Sequence, residues 1–214
     1  EDLVHQWQRV LRFEIGEKVI LCDGKGMEAT AEILSFTKKT CQVHLGHPRP
    51  VESEASRGLT LYFSPLKREN TELILQKATE IGVVRFVPIL CRRTIKQAIN
   101  KERLEKILVE AAEQSGRGVV PVLQEMQDFS EAVKNISQEK VPCVLFELGA
   151  NRFSADSFQA QTKANLFIGP EGGWDPEEVT EAETAGYLVR SLGITTLRAE
   201  TAAIVACALA IQSY

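Results

Sequence analysis

The stretch from residue 164 to residue 202 constrains the fold more than any other part of the chain. Residues 164–168 are a short apolar run of the kind that forms a buried strand. The run ends at Gly169-Pro170-Glu171-Gly172-Gly173, where glycine permits positive φ and close backbone approach. Asp175 then fits an N-cap, Pro176 the first helical position and Glu178 the return half of a capping box. Gly186 stops that helix, residues 187–192 read as a second strand, and Gly193 opens a second loop before a last helix at about Glu200. One such turn alone is only a turn. Two glycine bends at strand ends imply a crevice where main-chain N–H and C=O groups hold a ligand. Neither Gly-Lys-Ser/Thr nor Gly-x-Gly-x-x-Gly is present, so Walker and Rossmann phosphate sites are excluded. Glu171, Asp175, Glu177 and Glu178 crowd the helix start with no base among them, which disfavours pyrophosphate and suits a neutral or cationic ligand.

A chain of 214 residues holds one large domain, or a small and a medium one. Its net charge of -4 argues against generic nucleic-acid binding. Residues 85–117 run against that sign, with eight Lys/Arg to four Asp/Glu, enough to contact phosphates. A solvated helix face with pairs such as Glu102–Lys106 explains the same charges. Cys22, Cys41, Cys91, Cys143 and Cys207 are scattered with no C-x-x-C pair, as expected of free thiols in a reducing cytoplasm. No run is long and apolar enough for a membrane span, and no signal peptide is visible. The first residue is Glu1 rather than Met, which suggests a preceding segment. Cys41, His44 and His47 hint at a metal, but in a strand Cys41 and His44 point to opposite faces and no fourth ligand is obvious. A strand end and a turn explain them better, and no metal is expected.

In chain order, residues 18–23, 29–36 and 40–45 read as strands of a small barrel, and 48–58 as a proline-punctuated linker. Residues 59–63 form a further strand, placing the domain boundary at 63/64. Asn70 can cap a helix over 71–81, stopped by Gly82. Strands at 83–90, 119–123 and 142–148 alternate with helices at 102–115 and 130–136, and Arg92, Arg93 and Lys96 follow the first of these strands. Such alternation predicts a parallel sheet covered on both faces. The helix over 200–211 is apolar on every side, so it should pack on the sheet and also form a subunit interface.

These residues resemble the RsmE family, the bacterial small-subunit ribosomal RNA uridine-N3 methyltransferases of the SPOUT superfamily. The resemblance is carried by Gln76-Lys77-Ala78-Thr79-Glu80-Ile81-Gly82-Val83, by Glu110-Ala111-Ala112-Glu113-Gln114-Ser115-Gly116-Arg117, and by Ile168-Gly169-Pro170-Glu171-Gly172-Gly173. It continues in Leu192-Gly193 through Leu197-Arg198-Ala199-Glu200-Thr201-Ala202, and Gln8-Arg9-Val10-Leu11-Arg12 is similar to that family's opening. It implies an α/β fold class: a C-terminal α/β-knot methyltransferase domain (64–214) behind a smaller PUA-like β-barrel domain (1–63). It also implies S-adenosylmethionine as cofactor, ribosomal RNA or the small ribosomal subunit as partner, and a cytoplasmic homodimer with its active sites at the interface. Two features depart from the family: Thr195-Thr196 replaces a basic and a β-branched residue, and the 91–101 connection is shorter than usual.

Methyl transfer from a sulfonium to nitrogen is an in-line displacement that needs alignment and dryness more than an acid–base array. The resemblance implies that Ile168, Gly169, Pro170, Glu171, Gly172, Gly173, Leu192, Gly193 and Leu197 hold the donor, with Thr201 and Ala202 at its methionine end. Uridine N3 carries a proton, so attack requires its removal or a donor that stabilises charge on the flanking oxygens. Arg198 is the expected donor, since an arginine cannot act as a base at neutral pH. Glu200 or Glu171 could accept the proton, and either could equally cap a helix. Arg9, Arg12, Arg92, Arg93 and Arg117 are expected to position phosphates. Two alternatives stay open: methylation of a different RNA, and a non-catalytic RNA-binding or ribosome-assembly protein.

Overall fold

The computed structural model describes residues 2–52, 54–55, 57–95, 99–136, 140–154, 158 and 161–211. The chain divides into two compact units, the first comprising Glu1–Glu54 with Arg117–Val119, the second Ala55–Gly116 with Val120–Tyr214.

The first unit opens with helix α1 (Asp2–His5), which continues as a π-helical turn over Gln6–Val10. Trp7 is buried and packs edge-on against Phe13, with ring centroids 6.0 Å apart. An antiparallel sheet follows, built on the long strand β2 (Met27–Phe36). Strand β1 (Lys18–Cys22) pairs along one edge of β2; β3 (Cys41–Leu45) and the short β4 (Arg49–Pro50) pair along the other. Asp23 shapes the β1–β2 turn by accepting from the N–H groups of Lys25 and Met27 at 2.7 and 3.0 Å. The inward residues of β2, Ala29, Ala31 and Ile33, alternate with more exposed ones as a half-buried sheet requires. Among the described residues no group of three or more His, Cys, Asp or Glu could hold a metal ion.

The second unit is a wholly parallel seven-stranded sheet. Its strands are β5 (Gly58–Phe63), β6 (Arg85–Leu90), β7 (Val122–Leu123), β8 (Gln127–Asp128), β9 (Cys143–Phe146), β10 (Lys163–Ile168) and β11 (Leu188–Arg190). They lie in the order β11-β9-β10-β5-β6-β7, with β8 also on β6. Helices α2 (Arg68–Ile81), α3 (Lys101–Ser115) and α6 (Ala199–Ile211) cover one face; α4 (Phe129–Ile136) and α5 (Pro176–Thr184) cover the other. Alternate side chains of each central strand feed the two cores. Leu59, Leu61 and Phe63 of β5 and Leu166 and Ile168 of β10 join the first, while Tyr62 and Phe167 stack at 4.5 Å in the second.

Three expectations from the sequence are corrected here. Strand β5 pairs with β10 and β6 at the heart of the parallel sheet, so the domain boundary lies at Glu54/Ala55 and not after Phe63. The span 48–58 contains β4 and the first residue of β5 rather than linker alone. Helix α2 starts at Arg68, with Lys67 at the N-cap and no side-chain cap, so Asn70 sits inside the first turn. The Gly82 stop holds, and the structure adds caps that the sequence reading did not name. Asn100 caps α3 by accepting from the Arg103 N–H at 3.1 Å, and Gly82 and Gly116 end α2 and α3 with positive φ.

Candidate donor-binding cleft at the carboxyl ends of the strands

All strands of the second sheet run the same way, so the segments leaving β5, β9, β10 and β11 emerge at one end. The two glycine bends follow β10 and β11, which are separated by β9 alone, a spacing of about 10 Å at ordinary strand separation. From the second bend the chain returns to α6, which packs on α2, β5 and β10. Between these segments lies a cleft of about 780 Å³, within the range of small-molecule sites.

The first bend is held from several sides. Trp174 is buried, and its Nε1–H donates to the Phe146 carbonyl at the end of β9 at 2.9 Å. A Cβ on Gly169 would come within 3.0–3.2 Å of the Trp174 ring, so any side chain there would press on that ring. Gly173 has φ +70° and donates to the Pro170 carbonyl at 2.9 Å. The helix start is capped as expected: Asp175 is the N-cap of α5, and Glu178 Oε2 accepts from the Asp175 N–H at 2.9 Å. The other oxygen of Glu178 accepts from the Arg92 N–H at 2.8 Å, tying the segment after β6 to α5. In the second bend, Ser191 Oγ donates to the Gly193 carbonyl at 2.9 Å and accepts from its N–H at 3.2 Å.

Ile168, Gly169, Pro170, Glu171, Gly172, Gly173, Leu192, Gly193, Leu197, Arg198, Glu200 and Ala202 all line the cleft. Thr201 is not among the lining residues; it is exposed in the first turn of α6. Thr195 and Thr196 also line the cleft, so the departure from the family pattern falls on the site itself.

The arginines divide. Arg198 is exposed and its side chain has no hydrogen bond or ion pair among the described residues. Arg92 instead pairs with Asp175 and Glu177 at 3.4 and 2.5 Å. Arg93 donates to the Gly172 carbonyl at 3.1 Å and pairs with Asp175 at 3.5 Å. Both guanidiniums brace the first bend while staying about half exposed. Arg117 is buried and donates to Glu54 at 3.0 Å, so it holds its own unit together instead of offering charge to phosphate. Arg9 and Arg12 are exposed on the first unit. Lys96 lies outside the described residues.

Sequence reasoning missed Lys67, Asn70, Ile95, Phe146, Glu147, Leu148 and Trp174, which share the lining. Most follow β5, β6 and β9, and only the strand order places those ends beside β10 and β11. Two carboxylates stand out. Glu200 is only 8% exposed, and its side chain has no hydrogen-bond or ion-pair partner among the described residues. Glu147 is half-buried and likewise unpartnered among them; burial raises its pKa against the pull of the Arg93 charge. A buried, unpaired carboxylate beside a main-chain cradle fits a cationic ligand such as a sulfonium nucleoside better than an anion.

Comparison with known proteins agrees with this geometry. The family model for an RNA methyltransferase domain matches residues 53–211, beginning close to where the second unit begins, and that for an RNA methyltransferase PUA domain matches residues 8–46. The chain is 33% identical over 211 residues to the ribosomal RNA small subunit methyltransferase E of Synechocystis, covering 96% of this chain and 69% of that one. It is 29% identical over 214 residues to the enzyme of the same name from Rickettsia conorii, covering 96% and 84%. The crystal structure of a ribosomal RNA small subunit methyltransferase E from Neisseria gonorrhoeae bound to S-adenosyl methionine superposes with a TM-score of 0.85 at 30% identity, covering 97% and 87%. With its PUA-like β-domain and α/β-knot domain in that order, the chain belongs to the ribosomal RNA small subunit methyltransferase E family of RNA methyltransferases.

Proposed function

We propose that this chain transfers a methyl group from S-adenosylmethionine to N3 of a uridine in small-subunit ribosomal RNA, acting as a homodimer in the cytoplasm. The observation that carries the reading is the convergence on one cleft of both glycine bends and of Arg198, whose side chain has no partner among the described residues. When bound, the donor supplies an electrophilic methyl group on a positively charged sulfur. Main-chain groups of Ile168, Gly169, Gly173, Leu192, Gly193 and Leu197 hold its adenosyl part, with Pro170, Glu171 and Gly172 closing the bend and Ala202 at the methionine end. Glu200, in the first turn of α6 where negative charge is favoured, faces the cationic end. Arg198 donates to the uracil oxygens flanking N3 and stabilises the charge left when the imide proton departs. The apolar side chains of Ile95 and Leu148 exclude water at the rim. Arg9 and Arg12 meet RNA phosphates, and Arg92 and Arg93 add charge at the mouth of the cleft.

Dimerisation is supported by α6. Its buried side chains face the sheet, while Ile204 and Val205 stay partly exposed and Leu209 is 40% exposed, leaving apolar side chains on the outer side of the helix for a second copy to cover. No helix of the described residues is long and apolar enough to cross a membrane. Titration calorimetry with S-adenosylmethionine tests the reading. Binding at submillimolar donor is expected, and its absence favours a non-catalytic RNA-binding role.

A further inference from the structure

We propose that Glu147 is the catalytic base that takes the N3 proton of the target uridine, an inference that rests on the uridine reading above. Three carboxylates line the cleft, and their surroundings differ. Glu171 is exposed on the glycine bend. Glu200 is buried at the start of α6, where the helix end favours a fixed negative charge. Glu147 directly follows β9, a strand buried between β10 and β11, and its position is over-determined. Its N–H donates to the Arg190 carbonyl at 2.9 Å, while the preceding Phe146 carbonyl accepts from Trp174 at 2.9 Å. The main chain is therefore pinned on both sides, and the carboxylate is left with no partner among the described residues, beside a cleft that must accept a proton.

The environment suits that task. A carboxylate is a stronger base the closer its pKa comes to that of the imide, and desolvation pushes Glu147 upward while the Arg93 charge opposes it. The other charged groups on the cleft are Lys67 before α2, Glu171 on the first bend, and Arg198 and Glu200 at the start of α6. In the step itself the N3–H bond breaks and the proton passes to a Glu147 oxygen. The bonding pair stays on N3, its charge shared with the two flanking carbonyl oxygens that Arg198 stabilises, and attacks the methyl carbon; the N3–CH3 bond forms as the CH3–S bond breaks, and that bond's pair leaves on sulfur as a neutral thioether. The protonated carboxyl later releases its proton to water.

The experiment uses the full chain with small subunits lacking the modification, and measures single-turnover methylation against pH for wild type, Glu147→Gln and Glu147→Asp. Donor affinity by calorimetry and melting of the free protein are measured beside it. The expected result is a loss of about 10²-fold or more for Glu147→Gln at neutral pH, with donor affinity and melting close to wild type. That deficit shrinks as pH rises and the imide ionises unaided, and Glu147→Asp retains part of the rate. A wild-type rate in Glu147→Gln, or an equal loss at every pH, overturns the assignment. If wild type binds donor but places no methyl on uridine N3, the reading of the site fails first, and the assay distinguishes the two failures.

Discussion

Arg198 and Gly169 line the same cleft but should fail in opposite ways. Arg198 has no side-chain partner to lose among the described residues, so Arg198→Ala should leave stability and donor affinity near wild type. Its loss should lower the methylation rate by roughly 10²–10³-fold, the cost of one oxyanion-stabilising donor. Gly169→Ala places a Cβ within 3.0 Å of the Trp174 ring, which is buried and anchored to β9. Such overpacking costs about 1–3 kcal/mol of fold stability, and the displacement it forces in the bend should also weaken donor binding measured by calorimetry. Unchanged turnover in the first variant, or unchanged affinity in the second, removes that residue from its role. The glycines were legible because a bend has a composition, and Arg198 through the family resemblance. Glu147 was not, because nothing local distinguishes a residue at the end of a core strand from one beside a ligand; nor was Trp174, whose anchor is the Phe146 carbonyl of a distant strand.

Local chemistry predicted most elements well. Asp175, Pro176 and Glu178 announced α5, and Gly82 announced the end of α2. The misplaced element was β5, because an apolar run after a proline-rich stretch carries no sign of which sheet it will join; pairing with β10, about a hundred residues later in sequence, decides it. Between helices, Glu72 links α2 to α3: Arg68 Nε donates to it at 2.9 Å and Arg103 Nη2 at 2.8 Å. The Arg103 and Arg68 guanidiniums pull its carboxyl down to about 2. A lowered folded-state pKa means the stabilisation is fully present above the ordinary carboxylate value of about 4.3 and is lost as pH falls toward the folded value. Glu72→Gln should therefore melt a few degrees below wild type at neutral pH, at about 2–4 °C per kcal/mol, with the gap closing in acid. Since both arginines are largely exposed, high salt should narrow it too. A gap constant from neutral pH to acid would show that the pair contributes nothing.

For the molecule as a whole, overall charge is a poor guide to the partner. The net charge of -4 disfavours nucleic acid, yet Arg9 and Arg12 stand exposed on the first unit and Arg198 on the cleft, while Arg117 is spent on Glu54. Reversing Arg9 and Arg12 to Glu together should weaken small-subunit RNA binding and flatten its salt dependence by about one unit of slope for each phosphate no longer neutralised. Donor affinity should not change, since the cleft proposed to hold the donor is lined wholly by residues of the second unit. Equal RNA affinity and slope in the reversed protein would place the phosphate-binding groups elsewhere. The parallel sheet was legible from alternating strands and helices, and the all-round apolar α6 from its composition. The crossing that gathers five strand ends into one cleft was not, because it is a property of strand order. The most direct test of the whole account is nucleoside mass analysis of small-subunit ribosomal RNA after incubating unmodified subunits with the protein and S-adenosylmethionine. The account predicts N3-methyluridine at one position; donor binding without that nucleoside, or methylation of another base, would contradict it.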